Sequence, residues 1–302
     1  MLPRLTETLH PDADGIDARP DHEVLAALLA GQRAALRAVE PAIPAIGEAA
    51  QRMAQTIRAG HRLIYCGAGS SALMALADAA ELGGTFGIPA SRIMLCMAGG
   101  IPTDAHMPGD TEDDLSAAER AAETVLPGDL IIAITASGST PYPLALARAA
   151  RMRGAQVIGI ANNPDAALFD LSDTAICLAT PPEIIAGSTR LGAATAQKAA
   201  LNMMSTLMGI RLGQVHDGMM VGLIADNAKL RDRAAAIVAR IACTSPARAT
   251  ASLAQAAGAV KPAVLIALGL QQPQAEALLR ETDGNLRAAI ARLRTTGNQP
   301  RD

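Results

Sequence analysis

The sequence predicts a doubly wound α/β fold, in which a parallel sheet is covered by helices on both faces. Short apolar runs typical of buried strands alternate with helix-length segments from residue 62 to residue 212, and strands separated by helices imply a parallel sheet. Half of the 302 residues are apolar and the net charge is −3, which is typical of a globular chain with an ample core. Because crossovers are right-handed, we expect a flavodoxin-like three-layer sandwich with its ligand at the carboxyl ends of the strands.

The elements follow from periodicity and from glycine or proline breaks. Two amphipathic helices come first, at 22–39 and 43–59. Strands are predicted at 62–66, 92–97, 129–135, 156–161 and 174–178, and helices between or after them at 71–82, 114–125, 141–153 and 190–212. Short Ala/Leu-rich helices close the chain at 247–257, 261–268, 273–280 and 286–293. The predicted divisions are a leader with helices (1–52), the α/β domain (53–216), a connecting helix (217–240), a helical module (241–295) and a disordered tail (296–302).

Composition excludes several classes of function. Trp is absent, only two Tyr and two Phe occur, and the basic residues are scattered, so neither stacking platforms nor a basic stripe for nucleic acid is expected. The polar N-terminus lacks a secretory signal, and no membrane-spanning run is found. The four cysteines and five histidines are dispersed, which predicts buried thiols rather than disulfides or a metal site. We expect a cytoplasmic protein.

The first strand runs into a turn suited to an anion. Arg62–Cys66 is followed by Gly67-Ala68-Gly69 and then by Ser70 and Ser71, which are good N-cap residues for the next helix. A helix N-terminus offers free N–H groups and partial positive charge, so it binds phosphate or carboxylate without a cation. The alternative is an ordinary connection between a strand and a helix.

A second turn of the same construction follows the third strand. Thr135 leads into Ala136-Ser137-Gly138-Ser139-Thr140 before Pro141, which is predicted at the first helical position. Two such turns in one sheet predict a phosphorylated small ligand. Neither turn is a Walker A or GxGxxG loop, so a nucleotide is disfavoured.

With these motifs the chain resembles the N-acetylmuramic acid 6-phosphate etherase family of SIS (sugar isomerase) domain proteins over nearly its whole length. The matching residues are Thr6-Glu7, Gly15–Asp17, Arg62–Gly69, Asp78–Glu81 with Thr85–Gly87, Ala98–Gly100, Glu112-Asp113, Ala136–Tyr142, Pro182-Glu183, Ala186–Arg190, Thr195–Lys198, Leu201–Met203 and Asn227–Arg231. The closing helices resemble the family's C-terminal ubiquitin-associated-like (UBA-like) module. The resemblance implies a sugar-phosphate substrate, a homodimer, and neither metal nor cofactor.

The family removes D-lactate from the C3 ether of N-acetylmuramic acid 6-phosphate, giving N-acetylglucosamine 6-phosphate in cell-wall recycling. Elimination needs a base for the C2 proton and an acid for the leaving oxygen. The resemblance places Glu81 at the proton-donor position and Glu112 at the second catalytic glutamate, the C2 base. We expect burial beside Ala79 and Ala80 to keep Glu81 protonated. The alternatives are a plain helix-end glutamate for Glu81 and a solvated first helical turn for Glu112.

Further residues are implied in binding. Ser70, Ser71, Ser137, Ser139 and Thr140 are expected to contact phosphate, and Ser188 or Thr189 the sugar, although each hydroxyl also suits a plain cap. Arg190 is also expected among the binding residues, where it could compensate for a missing family cation. Glu183 occupies the position of an acid/base glutamate in related sugar-phosphate isomerases, where it assists ring opening or else caps the next helix. The methionines of that helix, Met203, Met204 and Met208, suit a dimer interface or a buried core equally well.

The chain also departs from the family pattern. Basic residues typical of the family are replaced by Leu73, Ser139 and Gly192, and a glutamate is replaced by Ile101. Lost cations weaken anion binding, by roughly 1.5–3 kcal/mol for each charge-assisted contact. Three hypotheses follow: the lactyl etherase, a non-catalytic sugar-phosphate sensor, and an isomerase or lyase with another phosphosugar.

Overall fold

A five-stranded parallel sheet organises the first of two units in the computed structural model, which describes residues 5–107, 109–223, 225 and 227–297. The strands are β1 (Leu63–Gly67), β2 (Ile93–Met97), β3 (Leu130–Thr135), β4 (Gln156–Ala161) and β5 (Thr174–Cys177). They are ordered β2-β1-β3-β4-β5 and all pair in parallel. The predicted doubly wound fold is confirmed, and each of these strands lies within one residue of its predicted bounds.

Twelve α-helices lie in the described part of the chain. They are α1 (Asp21–Arg37), α2 (Ile43–Arg58), α3 (Gly69–Ala79), α4 (Leu82–Phe86), α5 (Leu115–Ala122), α6 (Pro141–Met152), α7 (Gly192–Arg211), α8 (Ala228–Ala242), α9 (Pro246–Gln255), α10 (Val260–Ala267), α11 (Gln272–Glu281) and α12 (Leu286–Gly297). None of these helices is long and apolar enough to cross a membrane. The predicted helix 71–82 is in fact two helices, because α3 ends at Ala79 and a short α4 follows that ends at the left-handed Gly87.

Both faces of the sheet are covered, which explains why its strands are continuous apolar runs. Every side chain of β1 and β3 is buried. Ile64 and Ile131 pack in one cluster with Ala118 of α5 and Leu146 of α6, whereas α2 packs against β1, β3 and β5. The strand order reverses between β1 and β3, and ligands of doubly wound folds bind at the carboxyl ends of the strands at that point.

The second unit comprises residues 81–89 and the chain from 208 onward. It contains a short hairpin of β6 (Val215–His216) and β7 (Met219–Met220) and the helices α8 to α12. The predicted connecting helix 217–240 is wrong in its start, since the hairpin occupies its first residues and α8 begins only at Ala228. It is also no mere connector, because Ala234 and Val238 of α8 share a buried core with Leu253 of α9 and Val264 of α10. Of the predicted tail, residues 298–302 lie outside the described residues, as do residues 1–4 of the leader.

Candidate active site

A cavity of about 360 Å³ lies in the first unit, where the turns after β1 and β3 meet. This volume falls within the range of small-molecule sites, about 300–1,000 Å³. Its polar lining brings together the hydroxyl groups of both predicted turns, namely Ser70, Ser71, Ser137, Ser139 and Thr140. Glu112, Thr189 and the N-terminal residues Thr6 and Glu7 complete the polar wall. Seven of the residues that were predicted for the site from the sequence therefore line this one cavity: the five hydroxyl residues of the turns, Glu112 and Thr189.

The turn after β1 leads into a helix whose first residues line this cavity. Gly69 takes a left-handed φ of +53° and already begins α3, with Ala68 as its N-cap residue. Ser70 and Ser71 therefore lie in the first helical turn, and their prediction as N-caps is wrong. Because the first N–H groups of a helix lack intrahelical partners, this position makes them and the two serine hydroxyls available to an anion.

The turn after β3 is held by its own hydroxyl groups. The Oγ1 atoms of Thr135 and Thr140 lie 2.7 Å apart, and the Ser137 hydroxyl lies 3.3 Å from Thr140 Oγ1. Ser137 Oγ also accepts a hydrogen bond from the Ser139 N–H at 3.2 Å. Pro141 occupies the first position of α6, as predicted. The hydroxyls of this turn are thus ordered by one another as well as exposed to the cavity.

Glu112 lies above the first turn. It belongs to a 3₁₀-helix, Asp110–Asp113, and a Cβ atom added at Gly69 would be only 2.6 Å from its Oε1. Glu112 is not in the first turn of a solvated helix, because α5 begins later and is capped by the Asp114 side chain. Burial, and then the neighbouring negative charge of Asp113, raise the pKa of the Glu112 carboxyl above its usual value. A glycine at position 69 is needed for its backbone conformation and for this close approach.

The N-terminal turn at residues 5–7 also contributes to the cavity wall, and the sequence did not predict this part of the site. Leu5–Glu7 is a 3₁₀ turn, and Thr6 within it is only 2% exposed. The Leu5 N–H donates to Asn163 Oδ1 at 2.9 Å, and the Gly187 N–H donates to the Thr6 carbonyl at 3.1 Å. The match of Thr6-Glu7 to the family leader was the one available signal, because local pattern does not reveal a contact across more than 150 residues.

Comparisons with known proteins agree with this architecture. The SIS domain model matches residues 30–162. An N-acetylmuramic acid 6-phosphate etherase from Deinococcus radiodurans is 40% identical over 291 residues, which cover 95% of each chain. The chain belongs to the N-acetylmuramic acid 6-phosphate etherase family. A second etherase, from Serratia proteamaculans, is 37% identical over 95% of this chain and 98% of its own.

A solved structure shows the same fold at lower similarity. A candidate phosphosugar isomerase involved in capsule formation, from Bacteroides fragilis, superposes with a TM-score of 0.53 at 20% identity. The match covers 66% of this chain and 95% of that one. It supports the α/β architecture of the etherase family member described here.

Glu81, the predicted proton donor, does not have the environment that we expected. It is exposed, because α3 ends at Ala79 and Glu81 is the N-cap residue of α4. The predicted burial is therefore wrong. Glu81 belongs to the second unit, whereas the described residues that line the cavity all belong to the first.

Asp78, three residues before Glu81, fixes the end of α3. This buried carboxylate accepts hydrogen bonds from the Tyr65 hydroxyl of β1 and the Ser205 hydroxyl of α7, both at 2.9 Å. Burial, and then the nearby Asp78 carboxylate, raise the pKa of Tyr65 well above its usual value, so its hydroxyl remains a donor. The family motif of residues 78–81 therefore includes a structural carboxylate as well as the proposed acid.

Glu183 caps a helix, which is the second of the two roles predicted for it. Its two carboxylate oxygens accept hydrogen bonds from the Gly192 and Ala193 N–H groups at 2.9 and 2.8 Å, and so cap α7. Neither Glu183 nor Ser188 nor Arg190 is among the described residues that line the cavity. Their predicted contact with the substrate therefore stays a prediction, whereas the capping role of Glu183 is confirmed.

The described lining of the cavity carries acidic but no basic side chains. No Lys or Arg is among its described lining residues, whereas Glu7 and Glu112 are. Of the positions that lack a family cation, Ser139 lines the cavity and Gly192 contributes its N–H to Glu183. The groups that this lining offers to an anion are therefore the hydroxyls of its serines and threonines.

Proposed function

We propose that this protein cleaves the D-lactyl ether of N-acetylmuramic acid 6-phosphate, giving N-acetylglucosamine 6-phosphate and D-lactate in cell-wall sugar recycling. One observation carries the proposal: a single cavity joins the hydroxyls of two anion turns to Glu112. The chain is 40% identical to a protein named for this activity over 95% of its length. No cofactor is required by the chemistry below.

The phosphate is bound by the two turns. The free N–H groups at the start of α3, with Ser70 and Ser71, face one side of it. Ser137, Ser139 and Thr140 face the other, at the start of α6. Two helix N-termini supply partial positive charge where cations are missing.

Glu112 acts as the base. In the open-chain sugar the C1 aldehyde makes the C2 proton acidic, and the Glu112 carboxylate removes it. The electron pair then forms the C2–C3 double bond and breaks the C3–O bond to lactate. A raised pKa strengthens the carboxylate as a base, so the partial burial of Glu112 favours this step.

Glu81 is proposed as the acid, on its match to the family's proton-donor position. It gives a proton to the departing lactate oxygen, and water then adds at C3 while C2 regains a proton. Because Glu81 is exposed in this structure, its role rests on the family match. In the test of that role, Glu81→Gln is expected to slow lactate release by about 10²-fold or more.

The decisive assay measures D-lactate and N-acetylglucosamine 6-phosphate released from N-acetylmuramic acid 6-phosphate. In D₂O, elimination followed by hydration places one deuterium at C2 of the product, which NMR detects. Release of lactate without deuterium at C2 would contradict the elimination, and absence of lactate would refute the etherase function.

A second candidate function is a non-catalytic sugar-phosphate sensor, which the absence of cations among the described lining residues favours. It predicts that N-acetylglucosamine 6-phosphate raises the melting temperature of the protein while no substrate turns over. Ligand stabilisation that persists in Glu112→Gln, together with an inactive wild type, would identify this function.

We also propose a cytoplasmic homodimer. Leu25, Leu29 and Leu36 lie on one side of α1 and are 64%, 51% and 45% exposed, which supports an interface there. Met204 and Met208 belong to α7, the other helix that was considered for the interface, and both are fully buried in the core. Light scattering of wild type and Leu29→Glu tests the dimer, since a monomeric wild type would refute it.

The cytoplasmic location is supported by the cysteines. All four are free thiols, and burial raises the pKa of Cys96 to about 11, which makes that thiol inert. Cell fractionation tests the location, and recovery of the protein outside the cytoplasm would contradict it.

A further inference from the structure

The N-terminal turn Leu5–Glu7 is built into the wall of the cavity. Its middle residue, Thr6, is buried, and its carbonyl accepts the Gly187 N–H. Its first residue, Leu5, donates its N–H to Asn163. Backbone contacts on both sides thus fix the position from which the Glu7 side chain projects.

Asn163 links this turn to the second anion turn. It is 5% exposed, and its Nδ2 donates to the Ala136 carbonyl at 2.9 Å. The same side chain therefore accepts from Leu5 and donates to the first residue of the turn after β3. The distance between the N-terminal turn and the phosphate-binding hydroxyls is set by one buried amide.

Glu7 lines the cavity, and no Lys or Arg is among the described residues of that lining. A Cβ atom added at Gly187 would lie 3.5 Å from Glu7 Oε2, so the carboxylate lies over the segment that leads to Thr189. A carboxylate repels a phosphate but accepts hydrogen bonds strongly from neutral donors. Sugar hydroxyl and amide N–H groups are such donors, and inorganic phosphate offers few.

We propose that Glu7 is a specificity-determining residue, which accepts a hydrogen bond from a hydroxyl or amide N–H group of the sugar and so selects sugar phosphates over free phosphate. This inference rests on the proposed sugar-phosphate function. Glu7 binds substrate and takes no part in proton transfer.

The test compares Glu7→Ala and Glu7→Gln with Glu23→Ala, which removes an exposed carboxylate of α1 that is not in the lining. Calorimetry measures Kd for N-acetylglucosamine 6-phosphate and for inorganic phosphate. We expect Glu7→Ala to raise Kd for the sugar phosphate about tenfold or more, Glu7→Gln to raise it less, and Glu23→Ala to leave it unchanged. Phosphate alone should bind equally well or more tightly to both Glu7 variants.

In the lactate assay, KM should rise with Kd while kcat is retained, since uniform binding is lost. An unchanged Kd for the sugar phosphate, an equal loss for both ligands, or a fall in kcat at constant KM would each overturn the inference. A wild type that binds the sugar phosphate but releases no lactate refutes the etherase function alone, and the Kd comparison still decides the role of Glu7. A wild type that binds neither ligand refutes both.

Discussion

The two anion turns of the cavity have similar sequences but hold their hydroxyl groups differently. In the turn after β3, Thr135, Ser137 and Thr140 are hydrogen-bonded to one another. In the turn after β1, the hydroxyls of Ser70 and Ser71 make no hydrogen bond within the described residues. The second turn is therefore ordered before any ligand arrives, whereas the first offers groups with unused hydrogen-bonding capacity.

The proposed base lies beside the turn whose hydroxyls are not hydrogen-bonded to one another. Glu112 lies against Gly69 of the first turn, and no carboxylate within the described lining belongs to the second. Both turns are proposed to bind the phosphate, but only the first also adjoins the proposed base. The following predictions test this difference between the turns, from the largest expected effect to the smallest.

Removal of the base should give the largest effect. Glu112→Gln should lower kcat for lactate release by about 10²- to 10⁴-fold, because general base catalysis is lost. Binding of N-acetylglucosamine 6-phosphate should change little. Glu119→Gln, at an exposed site on α5, serves as the control, and an active Glu112→Gln enzyme would remove Glu112 from the mechanism.

A cation restored near the first turn should tighten binding of the sugar phosphate. Leu73→Arg returns the basic residue typical of the family to α3, and about tenfold tighter binding of N-acetylglucosamine 6-phosphate is expected from a charge-assisted contact. Ala80→Arg adds the same charge at the other end of α3. Equal effects of the two variants would show that general charge, rather than a contact at the turn, is responsible.

Removal of a single hydroxyl group should have different effects on stability in the two turns. Thr140→Val breaks the hydroxyl network, so we expect a loss of about 1 kcal/mol in the free energy of unfolding, with a several-fold rise in Kd for the sugar phosphate. Ser70→Ala should raise Kd similarly without a change in stability. Urea denaturation and calorimetry measure both, and equal stability losses would contradict the difference between the turns.

The smallest effect concerns pH. Because burial and Asp113 raise the pKa of Glu112, the acidic limb of kcat/KM should lie above pH 4.5, the usual value. Asp113→Asn removes a negative charge that disfavours ionisation of Glu112, so this limb should move to lower pH. A shift to higher pH would contradict the assignment of that limb to Glu112.

Local pattern predicted what depends on neighbours in the chain. The apolar run of residues 129–135 is β3 almost to the residue, and Pro141 begins α6. Strand burial and helix starts are governed by short-range sterics and hydrogen bonds, which the sequence displays directly. The predicted start of α3 at residue 71 was two residues too late, because Gly69 accepts a left-handed conformation and enters the helix before the serines.

The sequence by itself determined the parallel α/β sheet, the two anion turns and the family, since these are properties of contiguous residues and of their order. Only the tertiary structure decided that Glu183 caps α7, that Glu81 is exposed, and that Glu7 lines the cavity on a turn bonded to Asn163. Each of these depends on which distant groups meet and on how much water they lose. Burial and hydrogen-bond partners of that kind are set by packing, which no single stretch of the chain records.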